Sequence, residues 1–166
     1  MIAYPNTKLM CSVNVDGSAA AVIVSEKKAR ELGMRRAVRI RASVLASDPY
    51  TDMGTAMPDI NQCTRIAVKN AYTMAGVGPE DIDLIELHDC FATAELLHYE
   101  NLGICAEGEA GRMIDAGETA LGGRIPVNCS GGLLSKGHPL GATGIANIYE
   151  VSTHLRGEAG KRQVEN

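Results

Sequence analysis

The chain has 166 residues, of which 45% are hydrophobic and 22% charged, with a net charge of −4. That is enough for one domain with a core, and it carries no basic face for nucleic acid. No apolar run approaches the ~20 residues that span a bilayer, and Met1-Ile2-Ala3-Tyr4-Pro5 lacks the n- and h-regions of a signal peptide.

Residues 1–14 hold turn formers without a clear period. Residues 19–24 (Ala-Ala-Ala-Val-Ile-Val) form a continuous apolar run suited to a strand buried on both faces. Ser25 then offers an N-cap, Glu26 suits the helix dipole, and Gly33 closes a two-turn helix. Residues 37–45 alternate, with Val38, Ile40, Ala42 and Val44 on one face and Arg39, Arg41 and Ser43 on the other. This predicts a half-exposed strand with a solvated basic face. Residues 47–59, rich in Asp, Pro and Gly, are expected to form a loop.

Cys63, Ile66, Ala67, Ala71 and Met74 follow helical spacing, and Gly76 ends that helix. After a turn at 78–81 comes a second strand candidate, 82–87, and then an apolar-periodic stretch at 91–102. Eleven of the 18 glycines fall between Gly103 and Gly144, which marks tight turns and close backbone approach. Residues 125–127 suggest a short strand. A last helix is expected from Pro139, with Ile145, Ile148, Ser152 and Leu155 on one face.

Alternating strands and helices predict an α/β layered domain with a mixed, largely parallel sheet and helices on its faces. The first strand has no upstream partner, and the chain stops where another strand would begin. The domain is therefore expected to be incomplete at both ends. The five cysteines, Cys11, Cys63, Cys90, Cys105 and Cys129, are odd in number and form no CxxC pair. That argues against a disulfide framework and a zinc site, and no metal is expected. His98 and His154 lie on helices and are expected to be solvated.

Two strand-to-helix corners carry chemistry, at the strand ends where ligands gather in α/β sheets. At Leu87-His88-Asp89-Cys90-Phe91, Asp89 is a natural N-cap and Cys90 falls in the first helical turn. The positive end of the dipole would there favour its thiolate. A buried structural cysteine beside a capping Asp is the alternative. At Lys136-Gly137-His138-Pro139-Leu140-Gly141-Ala142-Thr143-Gly144, Pro139 suits the first helical position, leaving His138 just outside the helix. A neutral imidazole there could accept a proton. A capping histidine in a glycine-rich turn fits equally well.

These corners resemble the thiolase family, and most closely its sterol carrier protein-type, His-Asp-Cys-Phe-motif members. The resemblance rests on Asp16-Gly17-Ser18-Ala19-Ala20-Ala21, His88-Asp89-Cys90-Phe91, Asn128-Cys129-Ser130-Gly131-Gly132 and the 137–144 stretch. Leu155-Arg156-Gly157-Glu158-Ala159-Gly160 also fits. It implies that residues 1–33 are the end of an N-terminal thiolase half and that 34–166 are the C-terminal domain without its final strands. It further implies that His138 activates an acyl-accepting cysteine from the missing half, His88 helps to form an oxyanion hole, and Cys90 moves the α-proton. Asn128, Ser130, Gly131, Gly132 and Gly137 become substrate-binding positions.

The implied activity is acyl-CoA thiolase chemistry, thiolysis of a 3-ketoacyl-CoA or the reverse Claisen condensation. Coenzyme A thioester is the substrate, and no cofactor is tightly bound. Implied partners are acyl-CoA, CoA, the N-terminal half and a second copy in a homodimer. The compartment is expected to be cytoplasmic, or peroxisomal in a eukaryote. The isolated chain is expected to be inactive, since neither Cys11 nor Cys63 stands in the family's nucleophile context. Two further readings are a retro-aldol lyase acting on steroid side-chain CoA thioesters, and a non-catalytic lipid- or partner-binding module.

Overall fold

The computed structural model describes residues 1–47 and 61–165. The loop expected at 47–59 lies, beyond Ser47, outside the described residues. Six α-helices are present among them: α1 (Glu26–Glu31), α2 (Gln62–Ala75), α3 (Ala92–Asn101), α4 (Ala110–Asp115), α5 (Gly132–Lys136) and α6 (Thr143–Leu155). None is long and apolar enough to cross a membrane.

The helices with local end signals form where those signals lie. Ser25 caps α1 by accepting from the Lys28 N–H at 3.1 Å. Gly76 ends α2 in the left-handed region at φ 67, its N–H returning to the Tyr72 carbonyl. α4 and α5, by contrast, fall in the glycine-rich region that local periodicity leaves as loop.

The extended segments pair far less than the pattern predicts. Among the described residues they meet only at isolated bridges, two of them parallel: Asn14 with His138, and Ile85 with Val127. The second joins the predicted strands 82–87 and 125–127, through Ile85 N–H to the Pro126 carbonyl (3.0 Å) and Asn128 N–H to the Ile85 carbonyl (2.7 Å). The run 19–24, expected to be buried on both faces, is instead open, with Val22 86% exposed. In 37–45, Leu45 is 98% exposed. A strand hides its apolar faces and satisfies its backbone only beside another strand, and no described segment pairs with either run. The expected sheet is therefore not formed among the described residues, although helices alternate with extended segments in the α/β order.

The core gathers Leu87, Tyr99, Ile104, Ala110, Met113 and Ile125, with Ile82, Ile85, Leu96, Leu102, Cys105 and Val127 packed against it. It thus holds α3 and α4 against the two bridged segments. Each fully buried side chain of this kind contributes roughly 1.5–3 kcal/mol. α2 is fastened to this layer by Tyr72, whose hydroxyl donates to the Leu102 carbonyl (2.9 Å), and by Arg65, which donates to Asn101 (3.0 Å). The result is a fixed platform at the ends of 82–87 and 125–127, from which the first chemical corner and the 128–132 turn emerge.

Two expectations about histidines are corrected here. His154 is buried, 6% exposed, because residues 160–164 fold back over it and the Val164 N–H donates to its Nδ1 at 3.2 Å. His98 is half-buried rather than solvated.

Candidate active site

The first corner begins where the bridged pair ends. A parallel ladder would next carry the Leu87 N–H to the Asn128 carbonyl. Asn128 instead adopts φ 51, sending its carbonyl to the Gly131 N–H (2.8 Å), and its side-chain Oδ1 takes the Leu87 N–H at 2.9 Å. Asparagine is among the few non-glycine residues that tolerate this conformation. The Asn147 amide approaches the Leu87 carbonyl at 3.5 Å. Both residues next to His88 are thereby anchored, because Asp89 is bound as well.

Asp89 does not cap the helix that follows it. Its Oδ1 accepts from the Leu133 N–H (2.8 Å) and its Oδ2 from the Leu134 N–H (3.3 Å), so it caps α5 from 44 residues away. α3 starts only at Ala92, with Phe91 extended at the N-cap and bridged to Cys11. Cys90 therefore stands one residue outside the cap, not in the first helical turn. The bridge to Cys11 is the cause, since Phe91 cannot pair with it and be helical at once.

The second corner leaves α5 at Gly137, whose φ is 88 and where a Cβ would lie 2.8 Å from both Val15 methyl carbons. His138 then seats itself on the segment 12–15, donating its N–H to the Val13 carbonyl (2.8 Å) and accepting from Val15 (3.4 Å). Pro139 is not the first residue of α6. Residues 139–142 make a turn, with the Ala142 and Thr143 N–H groups on the Pro139 carbonyl, and α6 begins at Thr143.

The two imidazoles meet. The rings of His88 and His138 lie edge to face, with centroids 4.9 Å apart and planes at 78°. His138 is buried, and its Nδ1 is 2.8 Å from the Thr143 hydroxyl oxygen. The same hydroxyl lies 3.1 Å from the Pro139 carbonyl; when it donates its one proton there, the ring donates at Nδ1 and presents Nε2 as an acceptor.

Register brings in Cys90 at the level of the backbone. The antiparallel bridge Cys11–Phe91, with Ser12 N–H on the Cys90 carbonyl (2.9 Å), sets Cys90 opposite Ser12. Asn14, two residues on and on the same face, is opposite His138. Ser12, Asn14, Cys90 and His138 thus share one face of a three-segment unit. Ser12 and Asn14 were not expected in the site, because residues 1–14 carry no period and their place depends on pairing across more than 70 positions. An open cleft of about 320 Å³, lined by residues 15–19 and 139–142, adjoins this unit.

Burial lowers the His88 pKa below the ordinary histidine value, and the neighbouring His138 lowers it further against the opposing pull of Asp89. Burial also lowers His98, with His88 adding to the effect. The Cys129 thiol is pushed up by burial and by the carboxylates of Glu86 and Glu150. Of the predicted substrate positions, Asn128, Ser130, Gly131 and Gly132 lie in one turn beneath Asp89, and Gly137 lies against Val15. The Ser130 hydroxyl donates to Glu86 (2.7 Å) and accepts from Lys136 (2.6 Å). Asn128 keeps a buried Nδ2 without a hydrogen-bond partner among the described residues.

Residues 48–166 match the family described as thiolase C-terminal domain-like. The chain is similar to sterol carrier protein 2 of Rattus norvegicus, 45% identical over 95% of this chain and 30% of that protein. It is also similar to an acetyl-CoA acetyltransferase of Methanothermobacter thermautotrophicus, 48% identical over 99% of this chain and 43% of the relative. Among solved structures it resembles the Ltp2-ChsH2(DUF35) aldolase, with a TM-score of 0.55 and 33% identity over 58% of this chain and 25% of that one. The chain spans less than half the length of each of these relatives.

Proposed function

The chain belongs to the thiolase family, within its C-terminal domain, and from that premise we propose that it supplies the acid/base half of an acyl-CoA site. Residues 1–33 close an N-terminal half that brings the acyl-accepting cysteine, and residues 34–166 form the partner domain. In thiolysis that cysteine adds to the C3 carbonyl of a 3-ketoacyl-CoA, with His138 Nε2 taking its proton. The C2–C3 bond then breaks, and the departing enolate of acetyl-CoA takes a proton from Cys90. The Cys90 thiolate next accepts the proton of an incoming CoA thiol, which carries the acyl group away and frees the first cysteine. His88, through its ring N–H, stabilises the thioester oxygen while it bears the enolate charge.

The observation that carries this reading is the contact between the His88 and His138 rings. It sets the two imidazoles side by side, on the same unit whose register includes Cys90. The test joins this chain to an N-terminal thiolase half and follows cleavage of a 3-ketoacyl-CoA. Cys90→Ser in the joined protein is expected to lower turnover by roughly 10²–10⁴, the usual contribution of a general acid–base group. Turnover close to that of the parent would remove Cys90 from the mechanism.

The likeness to an aldolase structure at 33% identity favours one second reading, retro-aldol cleavage of a 3-hydroxyacyl-CoA. Presenting the joined protein with 3-keto and 3-hydroxy substrates separately distinguishes the two. Thiolysis requires free CoA as a co-substrate and retro-aldol cleavage does not.

A further inference from the structure

Asp89 sits between the two side chains assigned to the first corner, and it is 2% exposed. Among the described residues its carboxylate makes no ion pair and no hydrogen bond to the helix that follows it. Both oxygens hold the first turn of α5, at Leu133 and Leu134. α5 has only five residues, about 7–8 Å of helix, and its far end runs through Gly137 directly into His138. One corner thus grips the start of the helix whose end carries the other. Gly132 permits the grip: at φ 60, a Cβ there would lie 2.1 Å from Asp89 Oδ2. On the other side of His88, the Leu87 N–H is pinned by Asn128. The imidazole at 88 is therefore held by its two neighbours, one of which also sets where 138 begins.

We propose that Asp89 is a positioning residue, which through Leu133 and Leu134 fixes the separation of the His88 and His138 rings. This rests on the reading that the two imidazoles act as a pair. A plain helix cap would predict lost stability and nothing more; a positioning role predicts altered geometry at the rings.

The test is nuclear magnetic resonance on the histidine-labelled 166-residue chain, comparing the parent with Asp89→Asn. The carboxamide keeps the volume but offers one acceptor in place of two. Two effects on His88 oppose each other. Loss of the Asp89 charge alone lowers the His88 titration midpoint further, because that charge raises it; separating the rings raises the midpoint, because His138 lowers it. His98 also senses His88 and is followed as a third reporter. The expected result is loss of the ring-to-ring Overhauser effect between His88 and His138, with an upward move of the His88 midpoint. Persistence of that effect, with a midpoint unchanged or lower, would overturn the proposal and leave Asp89 as a cap.

Gly132→Ala displaces the carboxylate without removing it, and the same two readouts decide the matter if Asp89→Asn does not fold. In the joined protein, Asp89→Asn is expected to lower kcat about tenfold or more at similar KM. A joined parent that is inactive while the ring geometry responds as described would refute the acyl-transfer reading and leave the positioning role standing.

Discussion

Glu150 and Arg162 offer a sharp test of how the end of the chain is held. Glu150 sits in α6 at 5% exposure, and Arg162 reaches it from the turn at 160–162 with both arms of its fork, Nε to Oε1 at 2.9 Å and an Nη to Oε2 at 3.2 Å. His154 Nε2 lies 3.4 Å from the same carboxylate. An exposed ion pair is worth about 0.2–1 kcal/mol, whereas removing one partner of a buried pair costs about 3–5 kcal/mol. Here the carboxylate is buried while the guanidinium side chain is 49% exposed, which places the cost between these limits. Arg162→Ala should therefore cost about 2–3 kcal/mol, and Arg162→Lys, which keeps the charge and loses the fork, about 1 kcal/mol. With a urea slope of about 2 kcal/mol per molar, Arg162→Ala lowers the unfolding midpoint by about 1–1.5 M, followed by circular dichroism. Replacing both residues by leucine should recover most of the loss, because no charge is then left buried. A cycle in which Glu150→Leu and Arg162→Leu add to within about 0.5 kcal/mol of the double variant would refute the reasoning, since distant, independent sites add to that degree.

Two more perturbations follow from the same geometry. His88 has its pKa lowered by burial and by His138, so the unfolded chain binds its proton more readily than the folded one. Stability should therefore fall as pH drops below about 6.5 toward the lowered value, and His88→Gln should flatten the urea midpoint between about pH 7.5 and 5.5; an unchanged slope would contradict this. Gly137→Ala forces a left-handed backbone on a side chain that would meet Val15, at a cost of about 1–3 kcal/mol in thermal or urea unfolding. A neutral result would show that the 12–15 segment yields freely.

Much of the helical layout was legible because its signals are local. Ser25, Gly33 and Gly76 are chemical punctuation that acts within one turn, and α1 and α2 obey it. α5 was not legible: five residues beginning with glycine show no period, and the cap that stabilises them lies 44 positions earlier. Asp89 was read as capping the next helix for the same reason. A carboxylate that caps looks alike in sequence whichever helix it serves. His154 looked solvated because the segment that covers it, 160–164, carries no apolar stripe of its own.

Residue chemistry along the chain determined which types stand at the two corners, and that the stretch between them is rich in glycine. Tertiary structure alone decided that His88 and His138 touch and that Ser12 and Asn14 flank them. It also left the apolar run at 19–24 without a paired strand among the described residues. The division has one cause. Caps and turns are satisfied by groups a few residues away, whereas strand pairing, register and ring contacts are made between segments tens of residues apart, whose meeting depends on how the whole core closes.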